Sequence, residues 1–249
     1  MPVREWDGNS YDRISGTMEA LGLAVLDRLE LSGDELVLDA GCGSGRITQA
    51  LIERLPRGRV IAIDESPSMI GAARERLGPD VDLRVGDLLE LRLDESADAI
   101  LSTATFHWIS DHERLFARLR AALKPGGRLV AQCGGEGNIT VLRASANEVI
   151  AREPYAQHFI DWQPPWNYAG AEQTRDLLLA TGFTTAECWL SPAPREPEHP
   201  REFLSTIVLG PHVQQLPPEL REPFMGDVLA KLGEPVVVDY VRLNIDAVA

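Results

Sequence analysis

Cysteine is scarce in this 249-residue chain. The three present, Cys42, Cys133 and Cys188, are odd in number and far apart, and they form no CxxC pair or Cys/His cluster at metal spacing. That pattern excludes a disulfide framework and a structural zinc, points to a reducing compartment and leaves no metal to expect. No stretch approaches the roughly 18 apolar residues of a membrane span, and the polar start MPVREWDGNS carries two acids where a leader would carry bases. A cytoplasmic location without a membrane partner is therefore expected. Basic charge is short as well, with 24 Lys and Arg against 38 Asp and Glu, scattered rather than gathered, for a net charge of −14. Nucleic acid, which is bound through many cationic contacts to phosphate, is not an expected partner, although an acidic total can still hide a local basic groove. No internal repeat or low-complexity segment is evident.

Apolar residues fill 44% of the chain, enough for one large core, so a single domain over residues 1–249 is expected. Residues 12–31 place Ile14, Met18, Leu21, Val25 and Leu29 at helical spacing, and Ser32-Gly33 ends the pattern. Short apolar runs then alternate with helical segments: LVLDA, RVIAID, VDLRV, DAILSTA and RLVAQC. Strands alternating with helices mean a parallel α/β sheet. Ser66-Pro67 reads as an N-cap with proline in the first turn, Ser110 with Glu113 as a capping box, and Pro125-Gly126-Gly127 as the turn into the fifth strand. Regular alternation lapses at 136–170, read as a cap over the sheet, and again at 191–235, which holds 9 of the 17 prolines. FTTAECWL and VVVDYVRLNI read as the last two strands.

The strongest chemical signal is Val37-Leu38-Asp39-Ala40-Gly41-Cys42-Gly43-Ser44-Gly45, an apolar strand entering a glycine turn ahead of a helix. Glycines let a backbone approach a ligand closely, and the helix N-terminus beyond supplies free N–H groups. A dinucleotide fingerprint wants G-x-G-x-x-G, whereas here the third glycine falls one residue early and Arg46 takes its place. Asp64, next to Glu65 at the end of the second strand, can accept both hydroxyl hydrogens of a ribose, and Met69 one turn on can lie on an adenine face or in the core. Past the third strand, Asp87 and the Leu88 backbone suit the polar edge of adenine. All three positions fall at carboxyl ends of strands, where open α/β sheets bind ligands.

Asp39 to Gly45, Asp64, Asp87, Thr103 of the fourth strand and Leu123-Lys124-Pro125-Gly126-Gly127 together resemble the ordered motifs of class I S-adenosylmethionine-dependent methyltransferases, over about residues 34–134. The detail is most similar to the group that includes trans-aconitate 2-methyltransferase, which also has a Trp-Asp…Tyr start, here Trp6-Asp7 and Tyr11, and a tryptophan after the fourth strand, here Trp108. The resemblance implies a doubly wound, seven-stranded Rossmann-like sheet with its last strand antiparallel, roofed by helical cap insertions. It also implies S-adenosylmethionine as cofactor, held by Tyr11, Asp39, Gly41, Cys42, Gly43, Gly45, Asp64, Glu65, Met69, Asp87, Leu88 and Thr103. Trp6 is then expected near the methyl donor and acceptor.

Ser102-Thr103-Ala104-Thr105-Phe106-His107-Trp108 puts polar and aromatic groups where a methyl donor should point, with Phe106 and Trp108 as candidate acceptor contacts. His107 is the candidate catalytic residue. It would deprotonate a hydroxyl acceptor or orient a carboxylate, which needs no base, unless it only packs against the following helix. Tyr155, Phe159, Trp162, Trp166 and Tyr168 crowd the cap, where Arg143, Arg152 and His158 are the only basic groups of 136–170. Trp166 and Tyr168 are taken as acceptor wall. The expected reaction is methyl transfer to an oxygen of a small, mainly apolar acid or alcohol. Too few convergent cations are visible for a polycarboxylate, which stands as the alternative beside a non-catalytic cofactor-binding module. No Asn/Asp-Pro-Pro-Tyr/Phe segment follows the fourth strand, which argues against a nucleic-acid substrate.

Overall fold

Each apolar run of the first half becomes a strand. The computed structural model describes residues 16–249, so Trp6 and Tyr11 lie outside the described residues. Strand β1 (Leu36–Ala40) is buried along its whole length, as a parallel strand covered on both faces must be. Helix α1 (Gly16–Leu26) precedes it and ends five residues short of the expected 31, because Arg28 and Leu29 close tighter bonds to Val25 and Leu26. After β1 the chain alternates through α2 (Arg46–Glu53), β2 (Arg59–Asp64), α3 (Pro67–Leu77), β3 (Asp82–Val85) and β4 (Ala97–Thr103). It continues through α4 (His112–Ala122), β5 (Leu123–Gly134), α5 (Thr140–Ile150), α6 (Ala171–Ala180) and β6 (Thr185–Pro192). The short α7 (Pro200–Phe203) runs through a π turn at Leu204–Val208 to α8 (Gly210–Gln215), and α9 (Pro218–Leu232) and β7 (Val241–Val248) follow.

These strands form one seven-stranded sheet in the order β3-β2-β1-β4-β5-β7-β6, with β7 antiparallel to both β5 and β6. The chain leaves β1 in one direction for β2 and β3 and in the other for β4 and β5. Such a reversal opens a crevice at the carboxyl ends of β1 and β4.

Several boundaries differ from the sequence reading. Ser66 does cap α3, its Oγ accepting the Met69 N–H, and Pro67 occupies the first turn. The cap of α4, however, is Asp111 rather than Ser110: its carboxylate accepts the Arg114 N–H at 2.9 Å. Lys124 to Gly127 is a bulge within β5 rather than a turn before it, where the pairing to β4 slips between Ala97 and Ala99. The last strand begins at Val241, not Val236, since Val238 pairs across with Arg195 in an isolated bridge.

Core side chains fall into three groups. One lies on the sheet face under α4 and α6, including Leu115, Leu119 and Leu178, and a second on the opposite face holds Val25, Leu51 and Ile70 from α1, α2 and α3. The third joins the two irregular segments to each other: Leu142 and Val149 of α5 pack with Phe203, Leu204, Phe224 and Val228, and the cluster reaches Tyr240 at the entrance to β7.

Candidate cofactor and acceptor site

Three glycines of the loop after β1 carry positive φ, each for a different physical reason. A Cβ on Gly41 (φ 83°) would stand 2.1 Å from Thr105 Oγ1, a hydroxyl that donates to the Gly41 carbonyl at 3.2 Å. At Gly45 (φ 81°), the N-cap of α2, a Cβ would meet Leu77 at 2.9 Å and Ala73 at 3.2 Å, so this glycine lets α2 approach α3. Gly43 (φ 54°) is the exception, since nothing lies within 4 Å of its Cβ position. Only Gly43 opens onto free space, as a ligand-facing glycine would. Cys42 between them is buried, and burial pushes its thiol far up, which makes it no nucleophile.

Asp64 holds this loop in place. One carboxylate oxygen accepts the Gly43 N–H and the other the Ser66 N–H, both at 2.9 Å. Each oxygen keeps a lone pair for a further donor. Burial raises its pKa, with the two N–H donors opposing. Glu65 and Asp87 are both exposed; burial and then the Asp87 charge raise Glu65. Asp87 accepts the Leu89 N–H at 2.8 Å, capping the short turn that begins at Leu88, whose side chain is core. Met69 is buried on the first turn of α3.

Asp39 is 1% exposed at the end of β1, and one of its oxygens accepts from Thr48 Oγ1 at 2.7 Å; the other is buried without a partner among the described residues. Desolvation pushes its carboxyl up to about 7. A buried acid with an orphan oxygen beside a ligand-facing glycine fits a cationic group.

At the end of β4 the backbone turns sharply. Ser102 Oγ donates to the Ala40 carbonyl at 2.7 Å, half-buried Thr103 accepts from Thr105 Oγ1 at 3.0 Å, and Ala104 follows at φ 57°, its N–H bonded to the Gln132 carbonyl at 2.7 Å. A left-handed alanine is strained. It faces a cavity of about 50 Å³ shared with His107, Trp108, Trp166, Tyr168 and Arg242. His107 is buried, with its ring 5.0 Å from Trp108 and 5.9 Å from Tyr168, and its Nδ1 accepts the Gly134 N–H at 3.3 Å. Gly134 is required there, because a Cβ would come within 2.7 Å of Tyr168. Trp166 stacks on Tyr168 at 5.8 Å, completing the aromatic wall.

One expectation is corrected. Phe106 is not at the acceptor side: it is 1% exposed in the central core, edge-on to Phe116 at 6.0 Å, because the turn at 106–108 sends Phe106 under α4 while His107 and Trp108 reach the cavity. Of the aromatic residues of the cap, Tyr155, Phe159, Trp166 and Tyr168 all pack with the third core, and Trp166 and Tyr168 also line the cavity.

The family model for a methyltransferase domain matches residues 37–127. The trans-aconitate 2-methyltransferase of Variovorax paradoxus is 30% identical over 259 residues, covering 96% of this chain and 94% of its own. The enzyme of the same name from Acidovorax sp. is 28% identical, covering 93% and 90%. The chain belongs to the S-adenosylmethionine-dependent methyltransferases. Among solved structures, a phosphoethanolamine N-methyltransferase of Haemonchus contortus with S-adenosylhomocysteine superposes with a TM-score of 0.63 at 20% identity, covering 97% of this chain but 56% of that one, and shares the fold.

The cofactor of this methyltransferase is S-adenosylmethionine, and the open Gly43, the orphan oxygen of Asp39 and the unfilled lone pairs of Asp64 suit its cationic and hydroxyl-bearing ends. On the acceptor side, counting basic groups within 136–170 missed Arg242. This β7 residue is 3% exposed and lines the cavity from more than a hundred residues down the chain. An arginine in the strand run VVVDYVRLNI was its sequence signal. Of the cap bases, Arg143 lies over the Tyr168 ring at 5.8 Å, whereas Arg152 faces Glu148 on the surface. No described helix is long and apolar enough to cross a membrane.

Proposed function

We propose that this methyltransferase transfers a methyl group to a carboxylate oxygen of a small organic acid. The loop around Gly43 with Asp39, Asp64 and Asp87 would hold the cofactor, and the cap segments would enclose the acceptor against β4 and β7. S-adenosylmethionine, when bound, supplies an already activated methyl group. The carrying observation is the state of His107: because its Nδ1 accepts the Gly134 N–H, the neutral ring has its proton on Nε2. A ring so arranged donates a hydrogen bond and does not collect a proton, so it orients an ionised carboxylate and leaves a hydroxyl unactivated. A carboxylate needs only alignment, which the half-buried aromatic wall of Trp108, Trp166 and Tyr168 would provide by fixing its position and limiting access of water. The names of the trans-aconitate methyltransferase relatives support an acid acceptor.

The test is a screen of small carboxylic acids against matched alcohols with labelled S-adenosylmethionine, followed by His107→Ala and His107→Gln. Acids are expected to be methylated. His107→Ala should raise KM about tenfold with a small change in kcat, and His107→Gln, which keeps a donor, should lie nearer wild type. Preferential methylation of alcohols, with a hundredfold loss of kcat in His107→Ala, would mark a general base and overturn the assignment.

A further inference from the structure

Arg242 is a buried charge without a counter-charge. It is 3% exposed, its Nε has no partner, and among the described residues no carboxylate lies within 4 Å of its guanidinium. Arg28, on the same sheet face, also has a buried Nε without a partner, but the rest of its guanidinium is held differently. Its guanidinium donates to Asn244 at 2.7 Å and to the Ala131 carbonyl at 2.8 Å and pairs with Asp246 at 3.1 Å. Burying an unpaired guanidinium is strongly unfavourable unless something else supplies the anion.

The surroundings say where that anion would sit. Arg242 opposes Gly134 in the β5 to β7 pairing, beside the N–H that holds His107, and it lines the same cavity. Its guanidinium lies 5.1 Å over the Tyr240 ring, and that of half-buried Arg143, equally without an acid partner among the described residues, lies 5.8 Å over Tyr168. Both rings line the cavity, so two cations held flat on aromatic faces approach one space.

We propose that Arg242, assisted by Arg143, forms an anion subsite that grips a second, unmethylated anionic group of the acceptor. This rests on the carboxylate reading above and adds a specificity-determining residue to it. The gripped group cannot be the one methylated. An ion pair to the reacting carboxylate would stabilise the ground state and be lost as its charge is consumed, which opposes catalysis.

The probes are glutarate, butyrate, which is glutarate with one carboxylate replaced by hydrogen, and trans-aconitate. Binding is read by calorimetry in the presence of S-adenosylhomocysteine, and methylation by mass spectrometry. Wild type should bind glutarate or trans-aconitate at least tenfold more tightly than butyrate. Arg242→Gln should abolish that preference without altering S-adenosylhomocysteine affinity, and Arg143→Gln on the cap, which leaves the sheet intact, should reduce it about threefold or more. The apo melting temperature of Arg242→Met should hold or rise, because an unpaired charge is removed. A fall of several degrees would assign Arg242 to structure and overturn the subsite. Acids methylated with an equal loss for diacid and monoacid in Arg242→Gln, or with none, would overturn the subsite and leave carboxylate methylation standing. Wild type that neither binds nor methylates any of the three would overturn both.

Discussion

Replacing Asp64 with alanine separates its two duties. In the structure its oxygens fasten Gly43 and Ser66 through backbone N–H groups at 2.9 Å, so the carboxylate shapes the loop before any ligand arrives. Hydrogen bonds to a charged group contribute about 1.5–3 kcal/mol each, but burial raises the pKa of Asp64 and offsets part of that gain. A fold loss of roughly 1–3 kcal/mol is the resulting expectation. Loss of the contacts proposed to the cofactor removes about 1.5–3 kcal/mol of binding, a weakening of roughly 10- to 150-fold. Asparagine refines the test. It retains one acceptor oxygen but turns an NH2 group toward one of two backbone donors, so Asp64→Asn should resemble alanine more than wild type. Calorimetry with S-adenosylhomocysteine reads the affinity and thermal unfolding reads the fold. A variant that loses stability while keeping affinity within twofold of wild type would confine Asp64 to the loop and refute the ribose assignment.

Asp39 gives a prediction in pH. Its folded-state carboxyl is raised from 3.8 to about 7, so the stability it lends is full below pH 4 and is lost as pH rises through 7. Against Asp39→Asn, denaturant midpoints of the apo protein should fall more steeply for wild type over that window, by roughly 4 kcal/mol in total; parallel curves would contradict the burial of an unpaired acid. The glycines of the loop divide by mechanism. Gly41→Ala drives a methyl onto Thr105 and should cost about 2 kcal/mol or more of stability. Gly43→Ala meets nothing and should cost only the roughly 1–2 kcal/mol of a left-handed alanine while weakening S-adenosylhomocysteine about tenfold or more. Equal stability losses with equal affinities would remove the distinction.

What was legible in the sequence is what is encoded locally. The glycine turn, Asp64 and Asp87 announce themselves because a strand end, a turn and a helix start require particular residues within a few positions of one another. Side-chain direction is a different matter. Phe106 and His107 are neighbours, yet one enters the core and the other the cavity, and the three-residue turn that separates them leaves no periodic trace. The cap of α4 went to Asp111 because two adjacent residues could each have served, and only the geometry of the Arg114 N–H decides between them. The cofactor-side order of motifs was readable, then, while the acceptor side was not: Gly134, Tyr168 and Arg242 meet only after β7 inserts between β5 and β6.

Of the three described non-glycine residues at positive φ, two lie at that meeting point and Asp161 lies elsewhere. Ala104 at φ 57° and Ile139 at φ 49° are non-glycine residues held in the left-handed region, and both line the cavity with Arg242. The surroundings over-determine each: the Ala104 N–H is fixed by the Gln132 carbonyl, and the Ile139 N–H by that of Asp239, whose carboxylate then caps α5 through the Val141 N–H at 2.8 Å. Elsewhere the same sheet neutralises its charges, Lys124 against Asp98 at 2.6 Å and Arg128 against Glu30 at 3.1 Å. A chain able to pair those residues and to give the Arg28 guanidinium an acid, an amide oxygen and a carbonyl has the means to remove one unpaired arginine and two strained turns. Their retention side by side, where the sheet hands over to the cap, is the pattern expected of a site whose missing partner is the acceptor itself.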